Sequence, residues 1–505
     1  MYKRLLCIWL CVLMLVPALI LAASEGGSIQ FIMMGYEPEG TYRKWEDNLF
    51  FQRMAEKTGI TFEFRQFSSA RLLAEAKSAM TADGELPDAF FKADLTPAEA
   101  IDLLDRGVLI DLKALLPTHA PNLWAILSQN ESYMEAVALP DGSIATLPYI
   151  DLAPAQNCMW INKKWLQTLK LPIPTNAEEL EQVLVAMRDK DPNQNGRKDE
   201  VPLAFLGAYD LKYLAHAFGL IANDFNVFEE KGTARFMPLE DSFRDFIAWS
   251  GRMYAEGLLD REGFSTADTM RRVTDAKSTM RYGVVMAPLV TQLLPLEWAA
   301  DYAVIAPLRW QEEQRYRSIA SPVTNGTFAI TSACEDPGAL LKWVDYLYSE
   351  EGAIMAANGV EKVDYVIDGD GTWRNTESAD QMGFLSDVSI VTGAVPPGIT
   401  ADEFQRLYSD TQVRYIIDQV ALVTDVALEP FPAYALSLEQ EAAIAPLQSA
   451  IGRYVDESIA RWVLGEWEIT DTQFAVFVQE LNGRGLQEFM TFWQDILDTR
   501  KEVVR

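Results

Sequence analysis

Ten residues in the middle of the chain have the composition of a cation-binding loop. Oxygen-bearing side chains occur at Asp191, Asn193 and Asn195, and Gly196 follows them at once. Alternate residues that point oxygens inward, followed by a Gly that permits a sharp turn, form the first half of a calcium loop. The EF-hand pattern requires a Glu at the position that Pro202 occupies, so this loop is not a complete EF-hand.

Two further carboxylates, Asp199 and Glu200, come earlier than the closing Glu of an EF-hand. They are able to close a shortened loop around a calcium ion. A solvated turn after a helix has the same Asn, Asp and Gly content. The spacing alone therefore leaves both interpretations open, a calcium site and a polar turn.

The segments on either side of this loop are regular. A capping-box pattern at Thr175 and Glu178 opens a helix with apolar residues at positions 180, 183, 184 and 187. The apolar residues 201–205 that follow the loop are strand-like. The loop is therefore predicted to join a helix to a strand.

Composition and histidine content argue against several other kinds of site. The net charge of -30 excludes nucleic-acid binding through clustered basic residues. The only histidines are His119 and His216, far apart in sequence and in unrelated contexts. They do not form an HExxH zinc motif, and a Ser-His-Asp triad is disfavoured. The chain also lacks a nucleophile elbow and a phosphate loop, so we predict no catalytic residues.

The N-terminal 23 residues have the order of regions that is typical of a secretory signal peptide. Lys3 and Arg4 come first, and an uninterrupted apolar run extends over residues 5–23. We expect this segment to direct the chain to the extracellular side of the cell envelope. Because the run is near the minimum length of a membrane span, an uncleaved anchor is the alternative. The remaining chain keeps two cysteines, Cys158 and Cys334, which form either a disulfide or, as we favour, two buried thiols.

Strand-like and helical segments alternate after residue 27. The strand-like segments are residues 28–34, 60–64 and 88–91, and the helical segments between them are residues 45–57 and 70–82. This alternation predicts a parallel sheet that helices cover on both faces. A second unit begins near Gln156, residues 325–331 read as a strand that returns to the first unit, and the chain is mostly helical after Asp336.

The chain resembles a family 1 extracellular solute-binding protein of a bacterial ABC transporter, and in particular the sugar-type members that include lipoproteins and alginate-binding proteins. The resemblance rests on motifs that occur in the family's order. They are residues 108–112, 120–123, 141–148 (Asp-Gly-Ser-Ile-Ala-Thr-Leu-Pro), 165–171 followed by 174–175, 348–352 (Tyr-Ser-Glu-Glu-Gly), 358–361, 431–432, and 454–455 followed by Gly465.

This resemblance implies an α/β protein of two lobes, a periplasmic-binding-protein-like fold of type II. Each lobe would contain a mainly parallel sheet flanked by helices, and the C-terminal region would be helical. Residues 24–148 and about 322–390 would form the first lobe, and residues 149–321 and about 391–505 the second lobe with the helical region. Ligands of open α/β sheets bind beyond the carboxyl ends of the strands. The residues expected there to contact the solute are Tyr36, Glu37, Asp94, Tyr149, Asp151, Trp160, Trp249 and Asn325.

The resemblance also bears on the loop at residues 191–200, because alginate-binding relatives carry a calcium site in a loop of this pattern. The implied calcium ligands are Asp191, Asn193, Asn195, the backbone carbonyl of Arg197, Asp199 and Glu200. The calcium ion would stabilise the second lobe and would not contact the solute.

The implied function is capture of a solute between two hinged lobes and its delivery to an ABC permease in the membrane. The resemblance implies an oligosaccharide as the solute, and the chain is expected to act as a monomer. Two alternatives remain at this level. A secreted carbohydrate-active enzyme would use two carboxylates, and a sensory binding protein would pass the solute to a signalling partner.

Overall fold

The structure is a computed structural model. It describes residues 29–503, apart from residues 42, 84, 155, 266–278, 319–320, 377–386 and 433. The predicted signal peptide lies outside the described residues.

Strands and helices alternate along the described part of the chain. The strands are β1 Ile29–Tyr36, β2 Ile60–Phe67, β3 Ala89–Phe91, β4 Leu147–Ile150, β5 Cys158–Asn162, β6 Val201–Leu203, β7 Val227–Glu230, β8 Thr233–Phe236, β9 Tyr282–Ala287, β10 Tyr302–Val304, β11 Tyr316–Arg317, β12 Val323–Ile330, β13 Tyr365–Ile367, β14 Trp373–Asn375, β15 Gly398–Ile399 and β16 Ala427–Leu428.

The α-helices are numbered in the same way. They are α1 Leu49–Thr58, α2 Ala70–Asp83, α3 Pro97–Asp105, α4 Leu116–His119, α5 Pro121–Gln129, α6 Glu131–Val137, α7 Lys163–Leu169, α8 Ala177–Asp189, α9 Gly207–Leu214, α10 Asp241–Ala255, α11 Leu296–Ala299, α12 Pro337–Asp345, α13 Glu350–Asn358, α14 Asp402–Gln405, α15 Thr411–Thr424, α16 Leu438–Val463, α17 Asp471–Gly483 and α18 Leu486–Val503. Short 3-10 turns occur at Trp45–Asp47, Ala215–Phe218, Met237–Leu239, Val290–Gln292 and Tyr346–Tyr348.

The first lobe is built on a sheet of six strands in the order β15-β4-β12-β3-β1-β2. β1 pairs in parallel with β2 and β3, and β4 pairs in parallel with β15. Phe31 and Phe91 lie in one apolar cluster of this lobe, and Met34 and Phe90 lie in another. The sheet is therefore covered on both faces, as is usual for parallel strands.

The second lobe is built on a sheet of four strands in the order β10-β5-β9-β6. In each sheet one strand runs against the others: β12 in the first and β5 in the second. Each of these two strands follows a segment that crosses between the lobes. A segment that enters a sheet at its carboxyl edge has to run away from that edge. Its strand is therefore antiparallel to the other strands of the sheet. The predicted two-lobe α/β architecture is confirmed.

Within the described part of the chain, three segments cross between the lobes, at residues 151–154 with 156–157, at residues 305–318 with 321–322, and at residues 400–410. The predicted boundary at about residue 390 is wrong, because β15 pairs with β4 at the edge of the first sheet. A strand of two residues is too short to produce a periodic hydrophobic pattern. The third crossing therefore begins about ten residues later than the sequence suggested.

The helical C-terminal region belongs mainly to the second lobe. The side chain of Gln419 on α15 accepts a hydrogen bond from the backbone N–H of Val304 (2.8 Å), and the hydroxyl group of Tyr415 donates to the carbonyl of Tyr302 (2.6 Å). α16 packs against α10 and α18. α16 also contacts α3 of the first lobe, so this long helix touches both lobes.

Three smaller findings complete the description of the fold. The helix that precedes the predicted cation loop, α8, is capped by Asn176, whose side chain accepts from the N–H of Glu179 (2.9 Å), and not by Thr175. Cys158 and Cys334 are free thiols in different lobes. Among the described helices, none is long and apolar enough to span a membrane.

Candidate functional site

The carboxyl edges of the two sheets face each other where the three crossings run side by side. The N–H of Asp151 donates to the carbonyl of Pro322 (2.7 Å), and the N–H of Thr400 donates to the carbonyl of Ile150 (3.1 Å). The N–H of Leu152 also donates to the hydroxyl oxygen of Thr400 (2.8 Å). These bonds join all three crossings into one connection, so residues at both carboxyl edges lie next to the hinge.

Tyr36 and Asp94, two of the predicted residues, form a polar pair at the carboxyl edge of the first sheet. The hydroxyl group of Tyr36 donates to Asp94 Oδ2 (2.9 Å). Burial raises the pKa of Tyr36 to about 12, and the bond to Asp94 adds to the shift, so this hydroxyl stays protonated. Asp94 is exposed and has a left-handed backbone (φ 50°), as does Lys92 (φ 51°). Such strained residues recur at functional sites.

Glu37, another residue that was predicted to contact the solute, forms a buried ion pair. Its carboxylate pairs with Lys92 Nζ and accepts a hydrogen bond from the indole N–H of Trp45 (3.3 Å). Lys92 Nζ also donates to the carbonyl of Thr392 (2.9 Å), and the N–H of Ala394 donates to Glu37 Oε2 (3.4 Å). Burial lowers the pKa of Lys92, and the charge of Glu37 opposes this shift. The pair therefore holds the segment 389–394 in place, and the prediction that Glu37 contacts the solute is not supported.

The two tryptophans predicted to contact the solute lie in the core of the second lobe. Trp160 is fully buried on β5, where its indole N–H donates to the carbonyl of Ala287 (3.0 Å). Trp249 is 5% exposed on α10 and packs against Phe218, with ring centroids 5.5 Å apart. Both positions were chosen for their residue type, and the structure corrects them, because neither ring has a face open to a ligand.

The remaining predicted residues, Tyr149, Asp151 and Asn325, lie at the first sheet's carboxyl edge beside the hinge. Burial raises the pKa of Asp151, and the nearby charge of Asp402 raises it further. Asn325 donates through its amide nitrogen to the carbonyl of Ala136. Its buried Oδ1 atom has no hydrogen-bond partner within the described residues, so it is an acceptor that a ligand is able to use.

A cavity of about 470 Å³ opens between the lobes next to Tyr149. The first lobe contributes β4, β15, α13, the β14 strand and the segment 389–392, and α15 contributes Val413 and Ile417. Since α15 is bonded to β10 of the second sheet, the cavity has walls from both lobes. Its volume falls within the range of small-molecule sites.

The cavity combines aromatic surface with neutral polar groups. The half-buried ring of Tyr408 provides this surface; it packs against Trp373 (centroids 4.6 Å apart), which is itself only 3% exposed and stacks on Phe404 (4.7 Å). The amide nitrogen of Gln405 donates to Asn358 Oδ1 (2.7 Å). Flat apolar surface beside amide and hydroxyl groups suits the C–H faces and hydroxyl groups of a sugar.

The sequence did not reveal most of this cavity. The lining residues Asn358, Trp373, Asn375, Gln405 and Tyr408 come from separate segments. None of these segments carries a recognisable binding motif, and only Tyr149 among the predicted residues lines the cavity. The assembly depends on the third crossing, whose start the sequence placed too early.

Tyr209 is a further residue that sequence reasoning missed. It lies in the first turn of α9, which follows the carboxyl end of β6, and it is 42% exposed. Its ring is 5.3 Å from that of Tyr213, over which the guanidinium group of Arg317 in the hinge lies at 4.8 Å. Applying the strand-end rule to β6 would have found Tyr209.

The predicted cation loop folds back on itself between α8 and β6. Asp191 accepts from the N–H groups of Asn195 (3.1 Å) and Gly196 (3.0 Å). Asn195 also bonds to Asp199 through its side-chain amide (2.9 Å). Asp191, Gln194 and Gly196 have left-handed backbones (φ 45°, 58° and 74°). The loop is thus a tight, ordered turn in which carboxylate and amide oxygens are brought together.

Glu200 is a half-buried carboxylate at the end of this turn. Its Oε1 atom is buried and has no hydrogen-bond partner within the described residues. Burial raises the pKa of Glu200, and the charges of Asp191 and Asp199 raise it further, so the three carboxylates lie near one another. The described residues contain no group of three His, Cys, Asp or Glu side chains arranged to hold a metal by themselves. The amide oxygens and a backbone carbonyl would have to complete the site.

The two histidines are structural in their contacts. His216 is buried, and its Nδ1–H donates to the carbonyl of Tyr213, while Nε2 accepts from the N–H of Leu308 (2.8 Å). Burial lowers the pKa of His216 to about 4. His119 packs beside Gly338 in the first lobe. The two rings lie in different lobes, as their sequence contexts suggested.

Comparison with known proteins agrees with this architecture. The family model of bacterial extracellular solute-binding proteins matches residues 39–354. The fructooligosaccharide ABC transporter substrate-binding protein FusA of Streptococcus pneumoniae is 23% identical over 487 residues, covering 90% of this chain and 87% of FusA.

Solved structures show the same fold over nearly the whole chain. FusA in complex with kestose has a TM-score of 0.66 at 21% identity, covering 94% of this chain and 99% of that one. An extracellular solute-binding protein from Bifidobacterium longum subsp. infantis has a TM-score of 0.77 at 20% identity, with the same coverage. The alginate-binding protein AlgQ2 without calcium ion has a TM-score of 0.63 at 20% identity, covering 94% and 98%.

Proposed function

Because the chain belongs to the bacterial extracellular solute-binding protein family, we propose that it captures an oligosaccharide between its lobes and delivers it to an ABC importer. It is a binding protein and not an enzyme. The relative FusA is named as a fructooligosaccharide ABC transporter substrate-binding protein, and this supports a sugar as the solute.

The observation that carries this proposal is the cavity of about 470 Å³ with walls from both lobes. A ligand that contacts Tyr149 in the first lobe and Val413 on α15 gains both contacts only when the lobes are close together. Binding therefore favours the closed arrangement over the open one. Tyr36, Asp94, Asp151 and Asn325 lie at the same carboxyl edge, and we propose that they contact the rest of the solute.

Isothermal titration calorimetry of the mature chain against a panel of oligosaccharides tests the proposal. The panel contains fructo-, galacto-, manno- and cello-oligosaccharides of two to five rings. At least one sugar should bind with a dissociation constant in the micromolar range or below, about -8 kcal/mol or stronger. Failure of every sugar to bind would refute the sugar assignment, and peptides would become the next class to examine.

We also propose that the loop at residues 191–200 holds a calcium ion that stabilises the second lobe. Asp191, Asn193, Asn195, Asp199 and Glu200 would provide side-chain oxygens and Arg197 its backbone carbonyl. Oxygen ligands of this kind are those that calcium prefers. The buried, unpartnered Glu200 Oε1 supports the proposal. Structures of a FusA EF-hand mutant and of AlgQ2 without calcium ion indicate that cation loops are a feature of relatives.

The family implies an extracellular location, and we propose that residues 1–23 act as the export signal. The membrane partner would be the permease of an ABC importer, and the binding protein would act as a monomer. N-terminal sequencing of the secreted chain tests the first point. A mature N-terminus near Ser24 is expected, whereas an intact Met1 would indicate an uncleaved anchor.

A further inference from the structure

The cavity between the lobes also indicates what kind of sugar it accepts. Resting on the proposed sugar-binding function, we infer that the solute is an uncharged oligosaccharide, without uronic acid, sulfate or phosphate groups. The inference depends on the charges in and around the cavity and on the hydrogen-bonding groups that line it.

The first observation is the neutrality of the lining. None of the described residues that line the cavity is Asp, Glu, Lys, Arg or His. A carboxylate or phosphate bound there would lose its hydration without gaining an opposite charge. Transfer of an ion out of water without a partner costs several kcal/mol. Sugar hydroxyl groups lose far less, because amides and hydroxyl groups replace water.

The second observation concerns three basic residues next to segments that line the cavity, each of which is engaged by a carboxylate. Lys92 pairs with Glu37 and also donates to the carbonyl of Thr392. Arg406 Nε donates to Asp402 (2.9 Å), and Arg374 Nε donates to Asp368 (3.1 Å). An anionic sugar that used one of these three cations would have to break its pair and leave a carboxylate behind.

The acidic residues beside the hinge also disfavour an anionic sugar. Asp151 lies in the first crossing, and Asp402 lies on α14 in the third crossing, next to the cavity residues Thr400 and Ala401. The charge of Asp402 affects Asp151, so the two carboxylates lie close enough to interact. Arg406 partly offsets the charge of Asp402, so Asp151 supplies most of the negative potential, which opposes the entry of a uronate and has little effect on an uncharged sugar.

A second, smaller cavity near the hinge offers no better place for an anion. Its volume is about 320 Å³, and its lining includes Glu135, Glu229 and Glu429 against one basic residue, Arg315. Three carboxylates outweigh one guanidinium group. Neither of these two cavities therefore favours an anionic sugar.

The hydrogen-bonding groups of the larger cavity point to hydroxyl donors. The Oδ1 atom of Asn375 is buried and has no partner within the described residues. An ionised carboxylate has no hydrogen to donate to this acceptor, whereas a sugar hydroxyl does. The Gln405–Asn358 bond uses one donor and one acceptor of these two amides, so each amide keeps hydrogen-bonding capacity for a ligand.

Calorimetry with matched pairs of sugars tests the inference. Galactotriose is compared with trigalacturonate, and mannotriose with trimannuronate, so that the members of each pair differ only at C6; 1-kestose is a further neutral probe. We expect at least one neutral trisaccharide to bind and every uronate to bind at least about 100-fold more weakly, because about 2.7 kcal/mol is less than the cost of an unpaired buried charge.

A variant of the buried acceptor provides the second measurement. Asn375→Ala should weaken the binding of the neutral sugar about tenfold, since one hydrogen bond is lost. Asn482→Ala, an exposed position on α17, is the matched control and should leave the affinity unchanged. A uronate that binds within about tenfold of its neutral partner, or an unchanged affinity of Asn375→Ala, would overturn the inference. If no sugar of either kind binds, the proposed function fails together with it.

Discussion

The cavity between the lobes and the loop at residues 191–200 differ in the charged side chains that they contain. The described cavity walls contain no charged side chain, and Lys92 and Arg406 beside them are paired with carboxylates. The loop concentrates three carboxylates within ten residues, and the Oε1 atom of Glu200 is buried without a hydrogen-bond partner within the described residues. Hydroxyl groups are recognised by neutral donors and acceptors, whereas a divalent cation requires negative oxygens. The two regions are thus suited to different ligands.

Disruption of the buried ion pair between Glu37 and Lys92, behind the cavity, should have the largest effect of the changes considered. Lys92→Met leaves the carboxylate of Glu37 buried without its cation. We expect the free energy of unfolding to fall by about 3–5 kcal/mol, as for other broken buried ion pairs. Chemical unfolding of the ligand-free protein, followed by tryptophan fluorescence, measures the loss.

The double variant Glu37→Gln/Lys92→Met is the control for this experiment. It removes both charges, so it should recover a substantial part of the lost stability. A single variant as stable as the natural protein would show that the pair does not hold the segment 389–394 in place.

The aromatic wall of the cavity provides the second test. Tyr408→Ala removes a ring that packs against Trp373 at 4.6 Å and lines the cavity. The affinity for the neutral sugar should fall by about 10- to 100-fold, in the range found for aromatic residues at the centre of a binding site. Titration calorimetry measures the change.

Tyr254→Ala in the second lobe is the matched control, since Tyr254 packs near Phe264 and does not line the cavity. Its affinity should equal that of the natural protein. Equal affinities of the Tyr408 and Tyr254 variants would place the sugar elsewhere.

The sequence made the fold and the loop predictable, because both depend on local patterns. Alternating strand and helix segments indicated two α/β lobes, and the Asp191–Gly196 spacing is contained within six residues. The boundary near residue 390 was wrong because β15 has only two residues and pairs with a strand almost 250 positions away. Local propensity contains no information about such a pairing.

pH should affect stability and binding differently, which sharpens the comparison. His216 has its pKa lowered to about 4 by burial, against 6.5 in an unfolded chain. Between these values the unfolded state binds more protons, so stability is lost as pH falls below about 6.5. We expect about 2 kcal/mol less stability at pH 5 than at pH 7.

The cavity, in contrast, has no described acid or base that titrates in this range. The affinity for the neutral sugar should therefore change little between pH 6 and 8, and a change toward pH 5 would come from Asp151, the proposed solute contact whose pKa burial raises. His216→Gln is the variant that checks the source of the stability loss, and its unfolding free energy should depend less steeply on pH. An unchanged slope would assign the effect to other groups.

Removal of calcium should give the smallest effect. With 1 mM calcium and a dissociation constant of about 0.1 mM, binding to the folded state adds about 1.4 kcal/mol. A chelator should lower the melting temperature by about 1.5–3 °C. Differential scanning calorimetry with and without the chelator measures this shift.

Asp191→Ala should abolish the response to the chelator, whereas Glu466→Ala, which removes an exposed carboxylate from the second lobe, should preserve it. Sugar affinity should be the same with and without calcium. A melting temperature that the chelator does not change in the natural protein would show that the loop is only a polar turn.

The candidate site was less predictable than the loop because it is assembled from distant segments. Strand-end reasoning found Tyr36, Asp94 and Tyr149, which lie at the first sheet's carboxyl edge. It failed for Trp160 and Trp249, since residue type does not reveal which ring is buried. The cavity residues Trp373 and Tyr408 meet only after the chain has crossed between the lobes.

Small-angle X-ray scattering of the mature chain tests the central claim most directly. When the neutral oligosaccharide identified by calorimetry is added to saturation, the radius of gyration should fall, because the lobes close around the sugar. Tyr408→Ala at the same sugar concentration should stay closer to the sugar-free value. A radius of gyration that does not change while the sugar is bound would contradict capture between two hinged lobes.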